Sequence, residues 1–257
     1  MATENAMAIV KAARSDNKIT AKEIIEEVFS DFIEFHGDRK GTDDSAILGG
    51  LAILSSTPVT VIATNRGETV GEHLSTHFGC PTPGGYRKAL RLAKQAAKFN
   101  RPIIFLVNTP GAYPGKTAEE QGQGSAIAQN IIQISQLPVP IITIIYGEGG
   151  SGGALALACG DQVWMLENST YSILSPEGFA SILWKDGSRT EEAAELMQMT
   201  PKALLRHKVI EGIIPESKDH KVTCRAIANI LDKQLQELGK LSAVDLLIQR
   251  KERYRKF

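Results

Sequence analysis

Cysteine is scarce in this chain. Cys80, Cys159 and Cys224 are the only three in 257 residues. No two are close in sequence, which excludes the spacing of a zinc site and fits a reducing compartment. A surplus of either charge is lacking too: Lys plus Arg equals Asp plus Glu, at 29 each. Dedicated nucleic-acid binding is thereby disfavoured, because neutralising phosphates needs an excess of Lys and Arg. The longest apolar run, Val139 to Tyr146, is far too short to span a bilayer. The opening MATENAMAIVKAARSDNK lacks the apolar core of a signal peptide. These absences describe a soluble, cytoplasmic protein without membrane contact. What is present is ordinary globular material, 42% apolar and 23% charged. A chain this long buries roughly 70–75% of its unfolded surface and needs no metal or disulfide to hold its core.

The pattern alternates strand and helix. Thr20-Ala21-Lys22-Glu23 reads as a capping box. It predicts a helix that carries Ile24, Ile25, Val28, Phe29, Phe32 and Ile33 at helical spacing and stops at Gly37. Ala46–Leu54 and Val59–Thr64 predict paired strands split by Ser55-Ser56-Thr57-Pro58. A helix over Gly85–Phe99 places Arg87, Arg91, Lys94 and Lys98 on one face. Strand Pro102–Val107, a loop from Asn108 to Gly115, a helix Ala118–Gln136 and strand Val139–Tyr146 follow. Next come a glycine-rich turn, a helix Ala154–Cys159, and strands Val163–Leu166 and Tyr171–Leu174. Helices are predicted at Pro176–Trp184, Thr190–Met197 and Pro201–His207, with two more from His220 on. This order implies one α/β domain over residues 1–257 with a largely parallel sheet. Residues 1–19 form a leader and 220–257 C-terminal helices.

The turn Gly147-Glu148-Gly149-Gly150-Ser151-Gly152-Gly153 satisfies several motifs at once. Gly147, Gly149 and Gly152 match a dinucleotide fingerprint, with Glu167 as its acidic residue. Gly149 to Gly153 match the G-x-S-x-G nucleophile elbow, but no histidine lies between His77 and His207. A P-loop is excluded, because no Lys-Ser/Thr closes the turn. A fourth reading needs no side chain. Glycines let backbone approach a ligand, and a helix N-terminus offers unpaired N–H groups and partial positive charge. Together they would form an oxyanion hole. A tight packing turn without a ligand remains the plainest alternative. The loop Thr109-Pro110-Gly111-Ala112-Tyr113-Pro114-Gly115 is a stiff turn after a buried strand, where open α/β sheets bind ligands. The two loops are expected to face each other.

These loops also carry a resemblance. Gly37-Asp38-Arg39, Asp43-Asp44 with Gly49-Gly50, and Gly85-Tyr86-Arg87-Lys88-Ala89-Leu90-Arg91 come first. The loop Thr109 to Gly115, the turn Gly147 to Ala154, Ser175-Pro176-Glu177-Gly178 and Ser181-Ile182-Leu183-Trp184 follow in order. From about residue 20 to 250 the chain resembles the α subunits of bacterial acetyl-CoA carboxylase carboxyltransferase. Within Thr64–Gly79, Glu68, Glu72, His73 and His77 stand where that family commonly has Lys or Arg.

The resemblance implies a crotonase-like α/β fold of repeated ββα units with helical ends. It implies transfer of a carboxyl group from carboxybiotin, on a biotin carboxyl carrier protein, to acetyl-CoA. The product is malonyl-CoA for fatty-acid synthesis. Implied partners are a zinc-ribbon β subunit in an α2β2 assembly, the carrier protein and biotin carboxylase, with no metal in this chain. Carried over by position, the amides of Gly152, Gly153 and Ala154 form the oxyanion hole and hold the ureido oxygen of biotin. Gly111, Ala112, Tyr113, Gly150 and Ser151 contact substrate. Arg87, Arg91 and Lys94 are candidate contacts for CoA phosphates or the carrier, or simply a solvated helix face. Glu148 is expected to stabilise the turn through a hydrogen bond. A stand-alone hydratase, isomerase or thioesterase and a non-catalytic scaffold are the competing readings.

Overall fold

Alternating apolar and β-branched runs pair here into one eight-stranded sheet. The computed structural model describes residues 5–257. In chain order the elements begin with α1 (Ala6–Ala13), α2 (Ala21–Val28), β1 (Ser30–Glu34), β2 (Ile47–Leu54), β3 (Thr57–Thr64), α3 (Val70–Ser75), α4 (Pro83–Lys98) and β4 (Ile103–Thr109). Then come α5 (Lys116–Glu120), α6 (Gln123–Ile134), β5 (Ile141–Gly150), α7 (Ser151–Leu155), β6 (Gln162–Leu166), β7 (Thr170–Ser172) and α8 (Pro176–Trp184). The chain closes with α9 (Thr190–Leu196), α10 (Pro201–Arg206), β8 (Gly212–Ile214), α11 (His220–Leu238) and α12 (Ala243–Tyr254). Strand order is β1-β2-β3-β4-β5-β6-β8, with β7 paired to the far end of β5. The β1, β2 and β3 strands are antiparallel, and the rest run parallel from β3 onward.

Both faces of the parallel strands are covered, so these strands read as continuous apolar runs. Val61, Ile104 and Ile144 face α2 and α11, while Ile62, Phe105 and Ile145 face α4 and α7. At α12, Arg250 is fully buried and grips Asp161 through two hydrogen bonds of 2.7 and 2.8 Å. It also donates to the carbonyls of Leu137 and Val139, tying the C-terminal helix to the start of β5.

Several predicted boundaries are corrected. The Thr20 capping box is present, with Glu23 N donating to Thr20 Oγ1 and Thr20 N donating to Glu23 Oε2. However, the helix ends at Val28, and Phe32 and Ile33 belong to strand β1. The backbone of Ile33 lies directly over Gly50, where an added Cβ would meet its carbonyl oxygen at 2.1 Å. Pairing with β2 therefore overrides helical spacing. The helix expected over Ala118–Gln136 is two, broken at Gly122, whose φ of +83° suits glycine. Thr57 and Pro58 lie in β3 itself, leaving Ser55-Ser56 as the turn. The glycine-rich segment is a turn only in its second half, since β5 runs to Gly150 and α7 starts at Ser151 rather than Ala154.

Candidate active site

The β4 and β5 strands are parallel neighbours, so both special loops leave the same end of the sheet. Thr109 pairs with Gly149 across that end. Thr109 Oγ1 then folds its own loop, donating to Gly111 O at 2.8 Å and accepting from Gly111 N at 3.1 Å. Gly111 has φ +147°, a conformation that favours glycine. Further along, Tyr113 N donates to Pro81 O, and Gln123 Nε2 donates to both Pro81 O and Tyr113 O. The Tyr113 ring packs against His77, with centroids 4.2 Å apart and the planes tilted by 37°.

On the β5 side, Glu148 N donates to Asn108 Oδ1, and Asn108 N donates to Thr64 Oγ1. These bonds lock the ends of β3, β4 and β5 together. Ser151 turns strand into helix with φ +55°, a strained conformation for a side-chain-bearing residue. The two loops touch through glycine. A Cβ at Gly150 would fall 2.0 Å from Pro110 O. One at Gly153 would fall 2.5 Å from Ala112 N, 2.7 Å from the Tyr86 hydroxyl and 2.8 Å from Gly111 C. The structure thus brings Gly111, Ala112, Gly150 and Gly153 together, whereas Tyr113 is drawn away towards Pro81 and His77.

The three expected amide donors divide. Ser151, Gly152 and Gly153 are the first three helical residues, whose N–H groups have no carbonyl inside the helix. Ala154 is the fourth and fully buried. Ser151 and Gly152 open onto a cavity of ≈ 580 Å³ whose other walls include Leu155, Ile173, Phe179 and Leu196. Cavities of this size, mainly apolar with a few aimed polar groups, suit small organic ligands. None of its lining residues is a histidine or carboxylate among the described residues. Ser151 therefore has no base there, which removes the nucleophile-elbow reading. Gly147 and Gly149 lie inside β5 and α7 is one turn long, so a dinucleotide cradle is not formed either.

Glu148 is nearly buried and is ion-paired rather than simply hydrogen-bonded. Its carboxylate accepts from Arg14 Nε at 2.7 Å and from an Arg66 N–H at 3.3 Å. Nothing local in the sequence signals Arg14, which lies in a different part of the chain. The cationic face of α4 is only partly free. Arg87 pairs with the buried Asp38 at 2.7 Å. Arg91 donates to the carbonyls of Gly37 and His36. Lys94 is exposed. Arg87 and Arg91 thus hold the 36–43 loop against α4. Tyr86, whose hydroxyl is buried without a partner among the described residues, underlies both loops. Burial pushes that hydroxyl's pKa well above its ordinary range, so it stays protonated.

Comparison with known proteins identifies the family. The family model described as acetyl co-enzyme A carboxylase carboxyltransferase-like matches residues 2–257. The acetyl-coenzyme A carboxylase carboxyl transferase subunit alpha of Streptococcus thermophilus is 54% identical over 250 residues, covering 97% of this chain and 98% of the relative. That of Streptococcus sanguinis is 51% identical over 251 residues, with the same coverage. Among solved structures, a transcarboxylase 12S hexamer superimposes with TM-score 0.71 at 20% identity, over 89% of this chain and 44% of the larger one. The beta subunit of geranyl-CoA carboxylase from P. aeruginosa gives 0.66 at 20% identity, over 90% and 45%. Under half of each larger chain is matched, and at these identities the likeness speaks to the crotonase-like α/β fold alone. The chain belongs to the acetyl-CoA carboxylase carboxyltransferase α-subunit family.

Proposed function

We propose that this chain supplies half of a shared active site that transfers a carboxyl group from carboxybiotin, borne by a biotin carboxyl carrier protein, to acetyl-CoA. The product is malonyl-CoA, and the step commits carbon to fatty-acid synthesis in the cytoplasm. The chain acts within an α2β2 complex whose zinc-ribbon β subunit completes the site, and biotin carboxylase recharges the carrier. The observation that carries this reading is the glycine turn itself. It offers amides without intrahelical partners to a mainly apolar cavity lined by no histidine or carboxylate among the described residues.

A bicyclic ureido ring fits such a place, with apolar walls for its carbon skeleton and amide donors for its oxygen. When bound, it supplies the activated carboxyl group. The chain's own part is to hold an oxygen that gains negative charge. The N–H groups of Gly152 and Gly153, fixed at the start of α7, donate to it without reorganising, each worth roughly 3–4 kcal/mol in comparable sites. Gly111, Ala112, Gly150 and Ser151 shape the entrance. Ala154 anchors the helix from inside the core. The hydratase and thioesterase readings need a free carboxylate or histidine at the turn. The only carboxylate in the turn, Glu148, is held by two arginines.

The test is reconstitution. The chain is mixed with the β subunit from the same source, and malonyl-CoA plus free biotin is followed to acetyl-CoA. Activity in the mixture and in neither part alone supports the proposal. A well-formed complex without activity refutes it.

A further inference from the structure

The N-terminal helix lies across the back of the candidate site, tied to three of its parts. Its apolar side, Ala6, Met7 and Val10, packs on Ala194 of α9 and on Met199 just beyond. Ala6 N also donates to Glu195 Oε1 at 2.8 Å. Leu196 and Met197, which follow directly, line the apolar cavity. At the other end of α1, Arg14 caps the helix and places one guanidinium between two carboxylates. Its Nε donates to Glu148 in the glycine turn at 2.7 Å. Its terminal nitrogens donate to Glu177 at 2.7 and 3.4 Å. Glu177 lies in the first turn of α8, two residues before Phe179 on the opposite wall of the cavity. Arg66 holds the remaining oxygen of Glu148. The result is a charge-balanced chain, Arg66–Glu148–Arg14–Glu177, from the end of β3 through the turn to the wall.

We propose that Arg14 is a positioning residue that fixes the spacing between the glycine turn and helix α8, and so the width of the cavity where the amide donors emerge. The rigid planar fork presents Nε to one carboxylate and its terminal nitrogens to the other in fixed, divergent directions, a geometry that the compact ammonium of a lysine does not reproduce. The backbone needs such a brace. The turn has little side chain of its own on the ligand side, and Ser151, which lines the cavity, sits in a strained conformation that its surroundings must maintain. Arg14 touches no reacting atom and acts through Glu148 and Glu177. The role assigned to the cavity rests on the proposed carboxyl transfer, but the brace does not.

The experiment compares wild type with Arg14→Lys, Arg14→Gln and Glu177→Gln. It reads backbone hydrogen exchange segment by segment, melting temperature, and steady-state kinetics of the complex with the β subunit. Because α1 is anchored independently on α9, the variants are expected to melt within a few degrees of wild type. Arg14→Gln should speed exchange in both 149–154 and 176–184 by about tenfold, with 103–107 unchanged. Glu177→Gln should loosen 176–184 alone, because the Arg14–Glu148 pair survives. In the reverse reaction Arg14→Gln should raise the KM for free biotin and lower kcat by about 10- to 100-fold, as expected for a misplacement near 1 Å. The KM for malonyl-CoA should hold. Arg14→Lys should recover one segment and not both. Wild-type exchange in both segments of Arg14→Gln overturns the proposal, as does loosening spread evenly over the whole chain. Exchange is read without any reaction, so a wild-type complex inactive in carboxyl transfer would refute the function and leave the brace standing.

Discussion

Replacing Gly153 by alanine adds one methyl group where three atoms already stand. The new Cβ would lie 2.5 Å from Ala112 N, 2.7 Å from the Tyr86 hydroxyl and 2.8 Å from Gly111 C. Two of these are backbone and cannot swing aside. Restoring ordinary contact requires the loops to part by about 1 Å. Overpacking of this kind costs about 1–3 kcal/mol, and alanine in place of glycine inside a helix returns about 1 kcal/mol. The net loss of stability is therefore small, a few degrees in melting temperature at this chain length. The loss of rate should be much larger. A displaced oxyanion donor costs roughly 2.7–4 kcal/mol, or about 10²–10³ in kcat. Gly152→Ala is the steric control. Its Cβ would meet only Ile127 Cγ2 at 3.7 Å, so that variant should melt at or above the wild-type temperature. The assay is the reverse carboxyl transfer of each variant reconstituted with the β subunit, beside its melting curve. A Gly153→Ala complex that assembles and turns over at the wild-type rate would refute both the steric argument and the role given to the turn.

Other parts of the structure make separate predictions. Arg250→Met leaves Asp161 buried and unpaired, and should lower stability by about 3–5 kcal/mol in chemical denaturation. Arg87→Ala should cost roughly 1.5–3 kcal/mol by breaking its bond to buried Asp38. Lys94→Ala should leave stability unchanged and, if α4 is a solvated face, should also leave the KM for acetyl-CoA unchanged. For Asp43, burial opposes ionisation, but the Gly37 N–H, Lys88 and His36 outweigh it and hold the carboxyl near a pKa of about 2, against an ordinary 3.8. Its folded pKa is depressed, so its stabilisation is complete above about pH 4 and is lost as pH falls towards 2. Asp43→Asn should lower the melting temperature at neutral pH, where the stabilisation is fully present, and should flatten its fall between about pH 4 and 2. Burial pushes the Cys159 thiol up to about 12 and those of Cys80 and Cys224 up to about 11. Since the thiolate is the reactive form, native protein should resist a disulfide reagent at pH 7 and release three thiols only on denaturation.

Much of the architecture was legible because the parallel strands are buried on both faces. Pro102–Val107 and Val139–Tyr146 stand out as apolar runs between helical stretches, and the helical crossovers imply that they run parallel, as they do in β4 and β5. The failures come where long-range pairing competes with local pattern. Phe32 and Ile33 have the spacing of a helix, yet Gly50 offers them a bare backbone on which to lie as a strand. The three-residue strand Gly212–Ile214 has no periodicity to read. It exists because Trp164, Met165 and Leu166 provide the edge it pairs with.

The site shows the same division more sharply. Gly111, Gly150 and Gly153 can be picked out from sequence because a backbone site advertises itself by missing side chains. What holds such a site in shape cannot be picked out that way. Arg14 is 134 residues from Glu148 and 163 from Glu177, and no spacing rule links them. Asn108, which accepts from the Glu148 amide, looks like one more loop residue until Gly147 is seen lying against its side-chain amide. A glycine turn lowers the barrier to close approach and, by the same token, lacks the side-chain packing that would fix its conformation. Rigidity has to be imported, through hydrogen bonds to β4 and ion pairs to α1 and α8. This is why the residues most exposed to loss of function by substitution need not be the ones nearest the ligand. Arg14, at the edge of the described structure and outside the segments that carry the family resemblance, is the sharpest case.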